Sequence, residues 1–322
     1  MTHPAFRPLA RLLPVLGAAL FLLVAPLWAV ALKEKSLIPS MVLCGLKHDG
    51  LHHILRGEEN WSYDLDGPVL DVQAQPLRDH YLVTGGKGRV CLVRRVWKGC
   101  RILWDWSRLE DVRVVDAVAA DWDETGAPSL ILAADAQNKR LFLAEAKSRG
   151  IKIRWQFELP AVPLRVHLCT DTGNFLAVLA DDSIEEVHFQ RDQVVERLGK
   201  EQGLKDPRDA VRDPWARTYV ADAGTGDVLC FGPHLEPVWK THMPFAPGDF
   251  QEMSLSLFRK KGKRLLLVAV RFATGPSRAP NVVYVLDTEN GKVVDWSDRM
   301  KKGGYPDFSR AVPDKAEYYK KQ

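Results

Sequence analysis

Apolar residues along this chain fall into short runs, some alternating with polar residues and some continuous, and Gly, Asn, Asp and charged residues separate them at close intervals. That is the period of strands and tight turns, not of helices. One phrase recurs: a β-run, a turn rich in glycine or charge, then a short β-run carrying a tryptophan. Its clearest copies are VCLVRRVWKGCRILWDW (90–106), LFLAEAKSRGIKIRWQF (141–157) and VVYVLDTENGKVVDWSD (282–298). In each, the first apolar residue and the tryptophan are 14 positions apart (Val90/Trp104, Leu141/Trp155, Val282/Trp296), and a glycine precedes the tryptophan by five (Gly99, Gly150, Gly291). Looser copies end at Trp61 and Trp239, and a sixth, IEEVHFQRDQVVERL, puts Glu196 where the tryptophan is expected. A repeat of this length with four strands per unit predicts an all-β chain folded as a β-propeller.

Each unit reads as four strands, A to D, with A innermost. The A strands are predicted to begin near Val69, Val114, Leu164, Arg208, Glu252 and Arg310, at spacings of 45, 50, 44, 44 and 58 residues, which counts six blades; seven blades of shorter period are the alternative. The segments 80–85, 129–135, 175–181, 217–223 and 264–270 supply second strands. The remaining blade must combine both chain ends. Residues 40–65 supply outer strands without an inner one, and SRAVPDKAEYY (309–319) echoes RDAVRDPWARTYV (208–220), which opens another blade. Pairing the two closes the ring and removes an exposed sheet edge. Tyr318-Tyr319 and Met41–Leu43 compete for its second strand.

The segments VADAGTGDVLCF (220–231), VLDTENGKVVDW (285–296) and VCLVRR…GCRILWDW resemble the repeat of the pyrroloquinoline-quinone-type (PQQ-like) propellers, Asp-x-x-Thr-Gly-x-hydrophobic-x-Trp. The resemblance covers nearly all of residues 33–322 and implies that Trp61, Trp104, Trp155, Trp239 and Trp296 dock neighbouring blades. An indole suits that role: it buries a large area, and its N–H reaches a backbone carbonyl next door. Glu196 departs from the pattern. The quinone-dependent dehydrogenases of this family are much longer and carry adjacent cysteines over the cofactor. No Cys-Cys pair occurs here, so the resemblance implies a non-dehydrogenase member without a cofactor, akin to the family's scaffold proteins.

The 322 residues are 46% hydrophobic and 27% charged, enough for a large core, and a net charge of +4 leaves no footprint for nucleic acid. Residues 1–32 differ in kind. Arg7 and Arg11 precede an uncharged apolar run from Leu12 to Leu32, which Lys33 ends. This is a secretory signal, with Ala29-Val30-Ala31 as a cleavage site, or an uncleaved anchor long enough for a bilayer core of ~30 Å. Either way the basic side stays in the cytoplasm, and the propeller of residues 33–322 is extracytoplasmic, membrane-associated if residues 12–32 are retained. The five cysteines, Cys44, Cys91, Cys100, Cys169 and Cys230, have no metal spacing; they read as buried thiols, with one disulfide left open.

Candidate chemistry is sparse. Asp71, Asp116, Arg165, Asp209, Glu252 and Arg310 stand at one position of successive inner strands and should form a ring in the axial channel, with the arginines three blades apart. Mutual pairing into a structural plug is the expectation; a hard cation held by the carboxylates is the alternative. Asp121-Trp-Asp123-Glu-Thr-Gly126 resembles a propeller calcium loop but has too few acids, so it reads as a turn. His52 and His53 are adjacent, so in a strand they face opposite sides and make no metal site with His48. The loop FATGPSRAPN (272–281) is the longest between second and third strands and, with Arg271 and Arg278, is the candidate binding loop. No nucleophile elbow, P-loop or dinucleotide motif is present. These readings converge on an exported, noncatalytic scaffold binding a protein or an envelope polymer. A metal-dependent lactonase-type hydrolase centred on the channel is the alternative, and a quinone-dependent dehydrogenase a weaker one.

Overall fold

The computed structural model describes residues 36–45, 50–55, 58–65, 67–75, 79–96, 99–106, 111–125, 127–147, 150–244, 250–272, 281–300, 303–304 and 308–313. Six four-stranded antiparallel sheets form the blades of a propeller, and one small two-stranded sheet joins residues 299–300 to 303–304. We number the blades by their inner strands: Val69–Ala74, Val114–Trp122, Pro163–Leu168, Pro207–Arg212, Phe250–Lys260 and Phe308–Pro313. Each inner strand contacts the inner strands on both sides, so the ring is closed. The outermost strands of blades 1 to 6 are Gly99–Trp106, Gly150–Glu158, Gln193–Leu198, Pro237–His242, Val293–Ser297 and Glu58–Asp64.

Blade 6 is shared by the chain ends. Its inner strand comes from residues 308–313 and pairs with Met41–Gly45, with Met41 opposite Pro313 and Leu43 opposite Ala311. Met41–Gly45 therefore takes the second-strand position; Tyr318-Tyr319 lie outside the described residues, as does the apolar run 12–32. Among the described residues no helix is long and apolar enough to cross a membrane.

The core is divided by interface. Six apolar clusters are found, one between each pair of neighbouring blades. Middle strands such as Phe175–Leu179 and Thr218–Asp222 are buried throughout because both faces pack against other blades, which is why they read as continuous apolar runs. Outer strands keep one face in water and read as mixed.

Two irregularities repeat around the ring. On blades 1 to 5 the inner strand carries a β-bulge just before the charged residue, between Val69/Asp71, Val114/Asp116, Pro163/Arg165, Pro207/Asp209 and Phe250/Glu252; in blade 6 the register shifts across the stretch containing Arg310. An extra residue at that point re-aims the next side chain. The outer strands carry a second bulge, described below.

Candidate functional site

The bulged inner strands bring Asp71, Asp116, Arg165, Asp209, Glu252 and Arg310 together. Two ion pairs join blades that are not neighbours, so they cross the axis. Arg165 of blade 3 meets Glu252 of blade 5 at 3.1 Å, and Arg310 of blade 6 meets Asp209 of blade 4 at 3.6 Å. Arg310 also lies 2.8 Å from Asp71 of blade 1. The Asp116 side chain accepts backbone N–H groups from Ala117 at 2.9 Å and from Val166 of the next blade at 2.8 Å. Asp209 does the same with Ala210 at 2.9 Å and Leu255 of the next blade at 2.7 Å. Each carboxylate thus ties its own inner strand to the following one.

Electrostatics decide the state of the ring. Burial is the largest influence on Asp116 and raises its carboxyl well above the ordinary range; repulsion from Asp71 adds to this, and Arg165 and Arg310 oppose it. Asp209 is raised by burial as well, against the pull of Arg310 and Arg165. Burial alone would ease the two guanidiniums toward neutrality, but the surrounding acids outweigh it and hold both firmly charged. Arg271, on the second strand of blade 5, adds a third cation 4.0 Å from Glu252. Three guanidiniums, Arg165, Arg310 and Arg271, thus stand among the four carboxyl groups of Asp71, Asp116, Asp209 and Glu252.

Arg271 stands at the end of a long second strand (Lys263–Phe272), directly opposite Glu252 at the start of the inner strand. Arg278 lies outside the described residues.

A second charged cluster, which the sequence did not announce, sits between blades 3 and 4. Arg212, 5% exposed at the end of the blade 4 inner strand, is ion-paired with Glu186, with Asp171 at 3.5 Å and with Glu196 at 3.7 Å. Asn174 donates to Glu186 at 2.6 Å. Glu196 occupies the position that carries a tryptophan in other blades, and burial followed by repulsion from Glu186 raises its carboxyl. At this interface docking by an indole is replaced by docking through charge. The only signal in the sequence was the missing tryptophan; nothing in PRDAVR singled out Arg212.

The outer-strand bulge explains the tryptophans. In every blade one residue is skipped in the pairing with the third strand (Asn60, Leu103, Arg154, Val195, Val238, Val294), and in blades 1 to 5 the residue after it faces the next blade. That next residue is Trp61, Trp104, Trp155, Glu196, Trp239 and, in blade 5, Asp295. Trp239 donates its indole N–H to the Thr288 carbonyl of blade 5 at 3.1 Å. Its ring also lies against Gly291, where a Cβ would come within 2.6 Å of it and where φ is +72°, so only glycine fits. Trp155 packs edge-on against Phe175 of blade 3 at 5.5 Å, and its indole N–H donates to Asp192, a carboxylate rather than a carbonyl. Trp104 is half-buried on the cluster between blades 1 and 2, stacked on the buried Trp106 at 4.9 Å. The Trp61 side chain lies outside what the structure describes.

Trp296 is the exception and a correction. It is 58% exposed, and among the described residues it packs into none of the interface clusters and stacks on Tyr284 of its own blade. Val282 and Trp296 keep both the 14-residue spacing and the register, since Trp296 lies opposite Tyr284 as Trp104 lies opposite Leu92, but the outer-strand bulge of blade 5 falls one residue nearer the turn. Trp296 pairs with Tyr284, whereas the docking position, opposite Val285, goes to Asp295. A slip of one residue turns a strand side chain to the other face. Hence Trp239→Ala should cost about 2–3 kcal/mol in denaturant melts, whereas Trp296→Ala should stay within about 0.5 kcal/mol. Equal losses would mean that both indoles dock.

The other candidates resolve locally. In the Asp121–Gly126 loop the Asp123 side chain accepts from the Thr125 and Ala127 N–H groups and the Thr125 hydroxyl, and Asp121 accepts from Ser129, which makes a hydrogen-bonded turn. His52 meets Glu59 at 3.0 Å, while His53 is buried beside Asn60. None of the five cysteines forms a disulfide, and all are buried. Among the described residues no group of three or more His, Cys, Asp and Glu side chains could hold a metal ion.

No family model and no curated protein matches this chain. Solved structures do. A protein of unknown function from Bacteroides caccae superposes with a TM-score of 0.60 at 17% identity, over 86% of this chain and 99% of that one. A chain from the structure of BBS1N in complex with ARL6DN, soaked with mercury, gives a TM-score of 0.53 at 11% identity, over 83% and 81%. At such identities the likeness is one of architecture, and with the strand order above it makes this chain a six-bladed β-propeller.

Proposed function

We propose that this protein is an exported, noncatalytic propeller that serves as a binding scaffold for another protein or an envelope polymer. The observation that carries the reading is the axial ring: its acids and guanidiniums pair with one another and tie inner strands together, which leaves them committed to the fold. A channel occupied in this way is a plug rather than a substrate site. Export rests on the basic start and apolar run of residues 1–32. Membership among the PQQ-like propellers, as a member without cofactor, is proposed on the repeat and on the shared docking position of Trp61, Trp104, Trp155 and Trp239.

Calorimetric titration of chelator-treated protein with calcium, zinc and manganese tests this reading. The expected result is no stoichiometric binding. Micromolar binding that Asp116→Asn abolishes would replace the plug with a metal centre and turn the function toward a channel-centred hydrolase.

A further inference from the structure

The misplaced tryptophan of blade 5 has company. At the position of Trp296 the other five blades carry Ser62, Asp105, Gln156, Arg197 and Lys240, all polar. Beside Trp296 on the same outermost strand, Val293 and Val294 are exposed at 41% and 36%. Two turns flank that strand at one end of the blade, held together by Arg264–Glu289 at 2.9 Å, and they present the exposed Lys261, Lys263 and Lys292. An exposed aromatic and two valines bordered by lysines match the interfacial zone of a bilayer, where indoles sit at headgroup depth and ammonium groups meet lipid phosphates.

The chain also enters the propeller here. The Asp295 carboxylate accepts the backbone N–H groups of Leu37 at 2.5 Å and Ile38 at 3.1 Å, and Lys260 donates to the Ile38 carbonyl at 2.7 Å. Leu37 and Ile38 pack on the cluster between blades 5 and 6, so the docking place left by the slipped tryptophan is filled by the incoming segment. From Leu32, the last residue of the apolar run, to Leu37 the chain spans at most about 17 Å when fully extended. If residues 12–32 are retained in a bilayer, that tether is short.

We propose that the outer edge of blade 5, through Val293, Val294 and Trp296 with Lys261, Lys263 and Lys292 around them, lies against a phospholipid bilayer bearing anionic headgroups. This rests on reading residues 12–32 as a retained anchor. It fixes the orientation of the propeller: blade 5 toward the lipid, blade 2 away from it.

The buried native cysteines allow selective labelling of an introduced one. The full chain carrying Val294→Cys, and separately Ile153→Cys on the opposite blade 2, is labelled with an environment-sensitive fluorophore. Both are reconstituted into phosphatidylcholine–phosphatidylglycerol vesicles containing spin-labelled lipid. Quenching several-fold stronger at 294 than at 153 is expected, with a reduction when Trp296→Ser is added. Flotation of the same samples separates the two ideas. Protein that does not float overturns the anchor and the orientation with it. Protein that floats but is quenched equally or not at all at both positions overturns the orientation alone. A label at 294 that is already shielded in lipid-free protein means a second copy covers the edge, which also overturns the proposal.

Discussion

Replacing Arg310 with methionine is expected to destabilise the protein by about 3–5 kcal/mol at neutral pH, because it leaves buried carboxylates without their cation. Arg310 is 9% exposed and meets Asp71 at 2.8 Å and Asp209 at 3.6 Å, and it is among the influences that lower the carboxyl of Asp116. Methionine keeps much of the volume, so the loss reports charge rather than a cavity. The pH dependence separates the two. Burial raises the folded-state value of Asp209 above the unfolded carboxylate value of about 3.9 and Arg310 opposes that rise, so the contribution of Arg310 is present above the raised folded value and is lost as pH falls through it. The difference between variant and wild type in urea melts should therefore shrink from pH 7 toward pH 4. A difference independent of pH would mean that Arg310 acts through packing alone.

Removal of residues 306–322 should have the largest effect. It takes away the whole inner strand of blade 6, including buried Phe308, Ala311 and Val312 and the Arg310 ion pairs. It also bares the edge of Met41–Gly45, a strand buried at every position. An apolar unpaired edge is a template for association, and a domain stable by about 5–15 kcal/mol does not survive the loss of one of six inner strands. The truncated chain is expected in aggregates or as a protease-sensitive species on size exclusion. A soluble monomer with an unchanged melting temperature would show that the ring closes without this strand.

The contrast between Trp239 and Trp296 shows how far a linear reading reaches. Both stand in a Thr–Gly-type or tryptophan-ending phrase, and both were expected to dock. The phrase records composition and spacing, whereas docking depends on which residue the outer-strand bulge skips, and the phrase does not fix where that bulge falls. The Arg212 cluster has the same origin. Glu196 is visible as an absent tryptophan, but its cation lies on another blade, 16 residues further along, and no local pattern links them.

By itself the sequence determined the strand periodicity, the number of blades, the shared sixth blade and the six charged positions of the inner strands. All of these follow from a repeat whose buried faces must stack around a ring and whose open edge must be paired. Only the tertiary structure decided which charges pair across the axis, that Arg271 stands beside Glu252, that Asp295 rather than Trp296 docks, and that Leu37 and Ile38 fill the gap. Each of these depends on register and on contacts between distant blades, and a shift of one residue there reverses a side chain's face without altering the pattern that predicts the strand.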